Sequence, residues 1–383
     1  MIRSALLLCA AFLAVVSSAC APPLVLPPPP PPSYIAAATC GIGAQPFLQK
    51  VQFLPSGYDP SGRYDLPPFP GANPTPIDPN SKYAAALQNA FVLAPPAFQN
   101  RLCSLTAIYV NGPDACATDC FRSGSWGYRA KDGTTYVAIT AGLWNLRCPD
   151  GSSYVYHCFE TDLLNQTISW PPNPPVPLPQ YTTANPEADT FDMTILAALA
   201  HEVGHVRWYE VLNPDIANWG GRYNPSTFCG RSFFSQPWYG GVHQPPNWRY
   251  FAARRQGTGL GDLHRRDPQI DTIDRAKGIN SSVLTYLDQL YQPSQPWASF
   301  VGAVTPDEDF VETFKLWVLT NAQANQIRGE GPLRYLSISF LNGVPENIPQ
   351  DYGIPDPMNN GAPSTTNKPL LATKAKCIGQ YVI

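Results

Sequence analysis

"TILAALAHEVGHVRW", residues 194–208, decides how the rest of the chain is read. The stretch changes from the alternation of the preceding segments to a helical pattern, and the spacing predicts one helix running from about residue 192 past Trp208. On a helix His201 and His205 stand one turn apart on the same face, so both imidazoles can be offered to a single ion. Tetrahedral zinc needs that geometry from two of its ligands. Glu202 follows the first histidine and lies beside that face, where a carboxylate can take a proton from a water without being a ligand itself. The plain alternative is a helix carrying two histidines by accident. A strongly apolar helix in a chain with only five histidines favours the metal over the accident.

"HEVGH" preceded by "ILAALA" resembles the active-site helix of the zincin metallopeptidases. The resemblance implies a Zn2+ cofactor held by His201 and His205, and Glu202 as general base in the hydrolysis of peptide bonds. It also implies a peptide or protein substrate held extended against a strand edge beside the helix. Gly204 is common at its place in that family. Glycine inside a helix costs about 1 kcal/mol relative to alanine, which the close approach of a strand or of the metal site would offset.

A third ligand must come from elsewhere. The metzincin extension requires Gly and His after the second histidine, and "HVRWYEVLNPD" has neither at the fixed places. Glu210 points away from His205 on a continued helix, and no further glutamate occurs before Glu308. "TPDEDFVETFKLW", residues 305–317, then presents Glu308 and Glu312 one helical turn apart. That pairing resembles the second helix of the glutamate-type zincins, with a longer interval between the two motifs than is usual. It implies Glu308 as third ligand and Glu312 or Asp309 as the acid that supports a ligating histidine. Residue chemistry alone leaves another reading open. Thr305, Pro306 and Glu308 also fit a capping box, in which case Glu312 is the ligand or pairs with Lys315 on a solvated face. Phe310, Val311, Phe314, Trp317 and Val318 on one side, with Leu316 and Leu319 nearer the carboxylates, predict instead that this helix is buried. No oxyanion donor stands at a defensible spacing: Tyr286, Tyr291, His243 and His264 read as packing or surface residues, and His157 as structural.

Residues 1–19 read as an export signal, with Arg3, the apolar run "ALLLCAAFLAVV" and the small residues "SSA". "VSSAC" resembles a bacterial lipobox, with Ser17 where an aliphatic residue is usual, and so implies lipidation at Cys20. Residues 20–39 follow as a proline-rich linker with six successive prolines, an extended stalk between anchor and body. With Cys9 removed and Cys20 lipidated, eight cysteines remain from Cys40 to Cys377, an even number that an oxidising compartment pairs as four disulfides. "CATDC" (Cys116, Cys120) has no second pair at similar spacing to make a metal knuckle.

The folded body is expected over residues 40–383, with an ordered insertion at about 211–280 rich in Gly, Pro, Trp, Tyr and Arg. Helices are predicted at 81–91 and in "PAFQNRLC", and strands at "SLTAIYV", "SWGYRA", "TTYVAIT" and "SSYVYHCF". From about residue 190 the pattern is helical, at 192–212, 280–292 and 306–327. The expected fold is α+β and zincin-like: a mixed-sheet N-terminal lobe, the active-site helix, then a mainly helical C-terminal lobe. A charged fraction of 14% and a net charge of −3 give nucleic acid no electrostatic footprint, and membrane contact is expected through the lipid anchor alone.

These features together point to a zinc metallopeptidase of the bacterial cell envelope. Ala21 lacks the acidic character that resembles inner-membrane retention, so an outer-membrane lipoprotein is expected, and otherwise a secreted protein. Two rivals remain at this level. One is a catalytically inactive zincin scaffold serving as a binding lipoprotein, and the other a zinc hydrolase of cell-wall peptides; the same activated water attacks either amide.

Overall fold

The computed structural model describes residues 39–40, 45–55, 73–112, 125–130, 132–168, 179–183, 189–211, 233, 298–299, 301–303, 306–322, 336–340 and 369–383. The chain separates into residues 1–36 and 37–383, and every described residue belongs to the second unit. The export signal, Cys20 and all of the linker except Thr39 therefore lie outside the described residues, as do Cys116, Cys120 and the insertion from 212 to 232 and 234 to 280.

The first strands, β1 (Thr39–Cys40) and β2 (Gln45–Pro46), form a small antiparallel ladder. β3 (Val51–Leu54) and β4 (Thr75–Pro76) open the main sheet. Helix α1 (Lys82–Leu93) starts where the Ser81 hydroxyl accepts from Ala84 N at 3.3 Å. Helix α2 (Pro96–Ser104) starts with proline at its first position, where the missing N–H is no loss. β5 (Ala107–Asn111), β6 (Trp126–Arg129) and β7 (Thr135–Thr140) complete a five-stranded sheet in the order β4-β3-β5-β7-β6. Its three central strands are parallel and both outer strands antiparallel, so the sheet is mixed. The parallel step from β3 to β5 uses α1 and α2 as its crossover.

Alternation along the strands decides what covers each face. Val51, Ile108, Val110, Val137 and Ile139 join the main core with the helices, whereas Tyr109, Trp126, Tyr128 and Tyr136 form a second buried aromatic cluster on the opposite face. Helix α3 (Tyr156–Ile168) and strand β8 (Pro179–Thr183) follow, and then α4 (Phe191–Val211). α4 begins where Thr190 Oγ1 accepts from Met193 N at 3.2 Å. Buried residues run all round it, and it packs at once on α1, on the sheet through β6 and β7, and on α5 (Pro306–Thr320). β9 (Leu336–Phe340) pairs antiparallel with β8, and α6 (Pro369–Cys377) continues through a π-helical turn to Val382. The fold is α+β. Among the described residues no helix is long and apolar enough to cross a membrane.

One expected strand is a helix. "SSYVYHCF" has the β-branched and aromatic composition of a strand, yet Tyr156 to Phe159 form the first turn of α3. Tertiary contacts override local propensity here: Asp189 Oδ1 accepts from His157 N at 2.9 Å, as a cap from elsewhere in the chain, and Cys158 is bridged to Cys148. A second disulfide joins Cys40 to Cys103, and Cys377 is also disulfide-bonded. Such bridges are consistent with an exported protein. The expected helix at 280–292 lies outside the described residues, and of the one expected at 306–327 the part to Thr320 is seen.

Candidate metal centre

His201 and His205 lie in the middle of α4, on the side that meets α5, and their rings sit 5.0 Å apart between centroids. Glu308, in the first turn of α5, approaches both: its Oε2 is 3.7 Å from His201 Nε2 and its Oε1 3.8 Å from His205 Nε2. These separations exceed a hydrogen bond. They suit three donors around a shared point, since two ligands of a tetrahedral zinc with bonds of 2.0–2.1 Å stand roughly 3.4 Å apart. One ligand atom from each residue falls within 4.8 Å of the other two. The side chains are 16%, 12% and 13% exposed, so the cluster is sheltered but open at one side.

Glu312, one turn further along α5, accepts from His201 Nδ1 through Oε1 at 2.8 Å. That bond puts the proton of a neutral His201 on Nδ1 and leaves the Nε2 lone pair facing Glu308. The donor set could therefore hold a metal ion. Glu312 is itself fully buried. Burial would raise its pKa, but Lys315 and His201 hold the carboxyl well below the ordinary range. Burial likewise disfavours charge on His201, but the bond to Glu312 and the fields of Glu308, Glu202 and Glu312 outweigh it and lift the pKa to about 9. Two buried carboxylates, those of Glu160 and Glu312, share one buried ammonium, that of Lys315.

Of the other sequence candidates, Glu202 is buried at 7% exposure, with its charge felt at His201. Asp309 points away from the histidines and forms a fully buried pair with Lys374 of α6, whose ammonium also lies 5.3 Å above the Phe233 ring. Burial lifts the Asp309 carboxyl to about 7 against the pull of Lys374. Lys315 does pair with Glu312, at 2.7 Å, but inside the protein instead of on a solvated face. Sequence reasoning missed Ser299, whose hydroxyl donates to Glu312 Oε2 at 2.6 Å, and Glu160 of α3, which accepts from Lys315 at 2.7 Å. Neither carries a sequence signal, because each meets the site only through tertiary packing.

A second group, Cys148, His157 and Cys158, also brings three potential donor atoms within 4.8 Å. Its two sulfurs are joined as a disulfide, and His157 Nδ1 lies 2.5 Å from Asp189 Oδ2, so this cluster is a cross-link with a braced histidine. Tyr286, Tyr291, His243 and His264 lie outside the described residues.

β6 passes directly over α4 at the motif. A methyl built on Gly127 would lie 2.0 Å from Glu202 O and 3.0 Å from His205 Cβ. Comparison of the chain with protein-family models, with curated proteins and with solved structures gave no match.

Proposed function

We propose that the protein is a zinc-dependent metallopeptidase with a zincin-like active centre, in which His201, His205 and Glu308 hold the metal and Glu202 is the general base. The observation that carries this reading is the arrival of Glu308, from a separate helix, between two imidazoles already spaced for one ion. Zinc, when bound there, supplies a Lewis acid for the scissile carbonyl and makes a water acidic near neutral pH. Glu202 then takes the proton of the attacking water and returns it to the leaving amine nitrogen, so the carboxylate ends the cycle as it began. Glu312 keeps His201 in the tautomer that presents Nε2. Among the described residues β6 is the last strand of the sheet on the side of α4, so an extended peptide adding to its outer edge would lie across Glu202 and His205. Disulfides fit the proposed export to the cell envelope, with attachment through Cys20.

The test is metal content with peptide hydrolysis. Wild type and Glu202→Gln are expected to hold one zinc each, with hydrolysis in Glu202→Gln down by roughly 10²–10⁴-fold. Glu308→Ala is expected to lose the metal. A wild-type protein that takes up no zinc from added salt would end this reading and leave a zincin-like binding scaffold in its place.

A further inference from the structure

The Glu312 carboxylate touches one member of the proposed metal set, yet two other segments and a lysine of its own helix converge to hold it. Its Oε1 accepts from His201 Nδ1 at 2.8 Å. Its Oε2 accepts from Ser299 Oγ at 2.6 Å and from Lys315 Nζ at 2.7 Å. The two bonds at Oε2 fix the plane of the carboxylate, and with it the position of the oxygen that faces His201. Each holder is itself held. Ser299 Oγ accepts from Gly302 N at 3.2 Å, which closes a tight turn ahead of α5. Lys315 Nζ is drawn equally to Glu160 Oε1 on α3, at 2.7 Å, and Glu160 is hydrogen-bonded to Tyr156 one turn earlier. Lys315, Glu160 and Glu312 are all at least nine-tenths buried.

A buried ammonium between two buried carboxylates is a costly way to join two helices, because apolar contacts of similar volume generally stabilise as well or better. Its geometry is better suited to orientation than to strength. We propose that Lys315 and Ser299 are positioning residues of the metal centre: they clamp the Glu312 carboxylate so that His201 presents Nε2 to Glu308, and Glu160 keeps Lys315 in place. This inference rests on the metal reading of His201, His205 and Glu308, and extends it to residues that touch neither metal nor substrate.

The experiment measures zinc affinity by chelator competition, the visible spectrum of the cobalt(II)-loaded protein, and the melting temperature of the metal-free form. The informative variant combines Lys315→Met with Glu160→Gln, which leaves Glu160 no buried charge of its own to compensate, while Glu312 keeps only His201 and Ser299 as partners. Zinc binding is expected to weaken roughly ten- to a hundredfold, the usual consequence of losing support behind a ligand. The cobalt spectrum should shift as His201 reorients, and the metal-free melting temperature reports separately what the loss of the Lys315 pair costs the fold. A folded double variant with wild-type zinc affinity and cobalt spectrum would overturn the proposal and reduce the triad to a helix tie. Should the double variant fail to fold, Ser299→Ala decides the matter, since it removes one hydroxyl and leaves every charge paired; weaker zinc binding supports the clamp and unchanged binding overturns it. A wild-type protein that binds no zinc is a different result, for it removes the metal reading itself and the clamp with it.

Discussion

Gly204 shows how one residue sets the spacing of the candidate metal centre. Helix propensity alone would favour alanine there by about 1 kcal/mol. The sequence explains the glycine by a nearby strand or by the metal, and the structure gives a different neighbour: a methyl at this position would stand 3.2 Å from both Val311 Cα and Val311 Cγ1. The glycine lets α4 and α5 lie a few tenths of an ångström closer than an alanine would. Because Val311 lies three residues after Glu308, spacing at this contact is also spacing between Glu308 and the two imidazoles. Gly204→Ala cannot be relieved by a side-chain rotation, since one of the crowded atoms is backbone. Overpacking of this kind costs about 1–3 kcal/mol, more than the propensity gained, so denaturant unfolding should show a net loss of stability. Zinc affinity should fall with it, in contrast to a change of similar cost placed elsewhere in the core.

At the scale of elements, what was legible in the sequence is what local pattern controls. The motif helix, α1, α2 and the strands β5, β6 and β7 fall where periodicity and bounding turns put them. α3 was misread because its first turn is capped by Asp189 and cross-linked through Cys158, neither of which leaves a local trace. β3 and the pairing of β8 with β9 were missed for a related reason, since their partners lie far away along the chain. The same distinction holds at the site. His201, Glu202 and His205 are a spacing, and Glu308 with Glu312 is a spacing, but Ser299 and Glu160 are recruited by packing alone. β6 gives this scale its test. Its Gly127 is the point where the strand lies closest to the motif, and a methyl there meets Glu202 O at 2.0 Å, so Gly127→Ala must push the strand outward. The metal set is built from α4 and α5 and should still bind zinc within a few-fold of wild type. Peptide hydrolysis should fall much further, by way of KM as well as kcat, because the displaced strand no longer presents its edge beside Glu202. Equal losses in zinc binding and hydrolysis would instead mean that β6 supports the metal and not the substrate.

Across the whole molecule, the body consists of a sheet with the helices before α4 and a later group comprising α5 and α6, with α4 in contact with both. Two kinds of polar connection cross this division inside the core. Lys315 of α5 reaches back to Glu160 of α3, and Glu312 and Glu308 of α5 reach His201 and His205 of α4. Asp309 and Lys374 then join α5 to α6, buried on the side away from the histidines. A cation shared between α4 and α5 would add a third connection at the same boundary. Metal binding should therefore appear as stability of the entire fold. By mass action, free zinc at a hundred times its dissociation constant adds about 2.7 kcal/mol to unfolding when the unfolded chain does not bind it. Glu202→Gln keeps all three ligands and should show the full increment despite its loss of hydrolysis. Glu308→Ala removes the ligand supplied by α5 and should melt at one temperature with or without zinc. Thermal unfolding of the three proteins across a zinc titration separates these outcomes: an increment retained in Glu308→Ala would place the ion elsewhere, and no increment in wild type would mean that α4 and α5 are joined by packing and buried ion pairs alone.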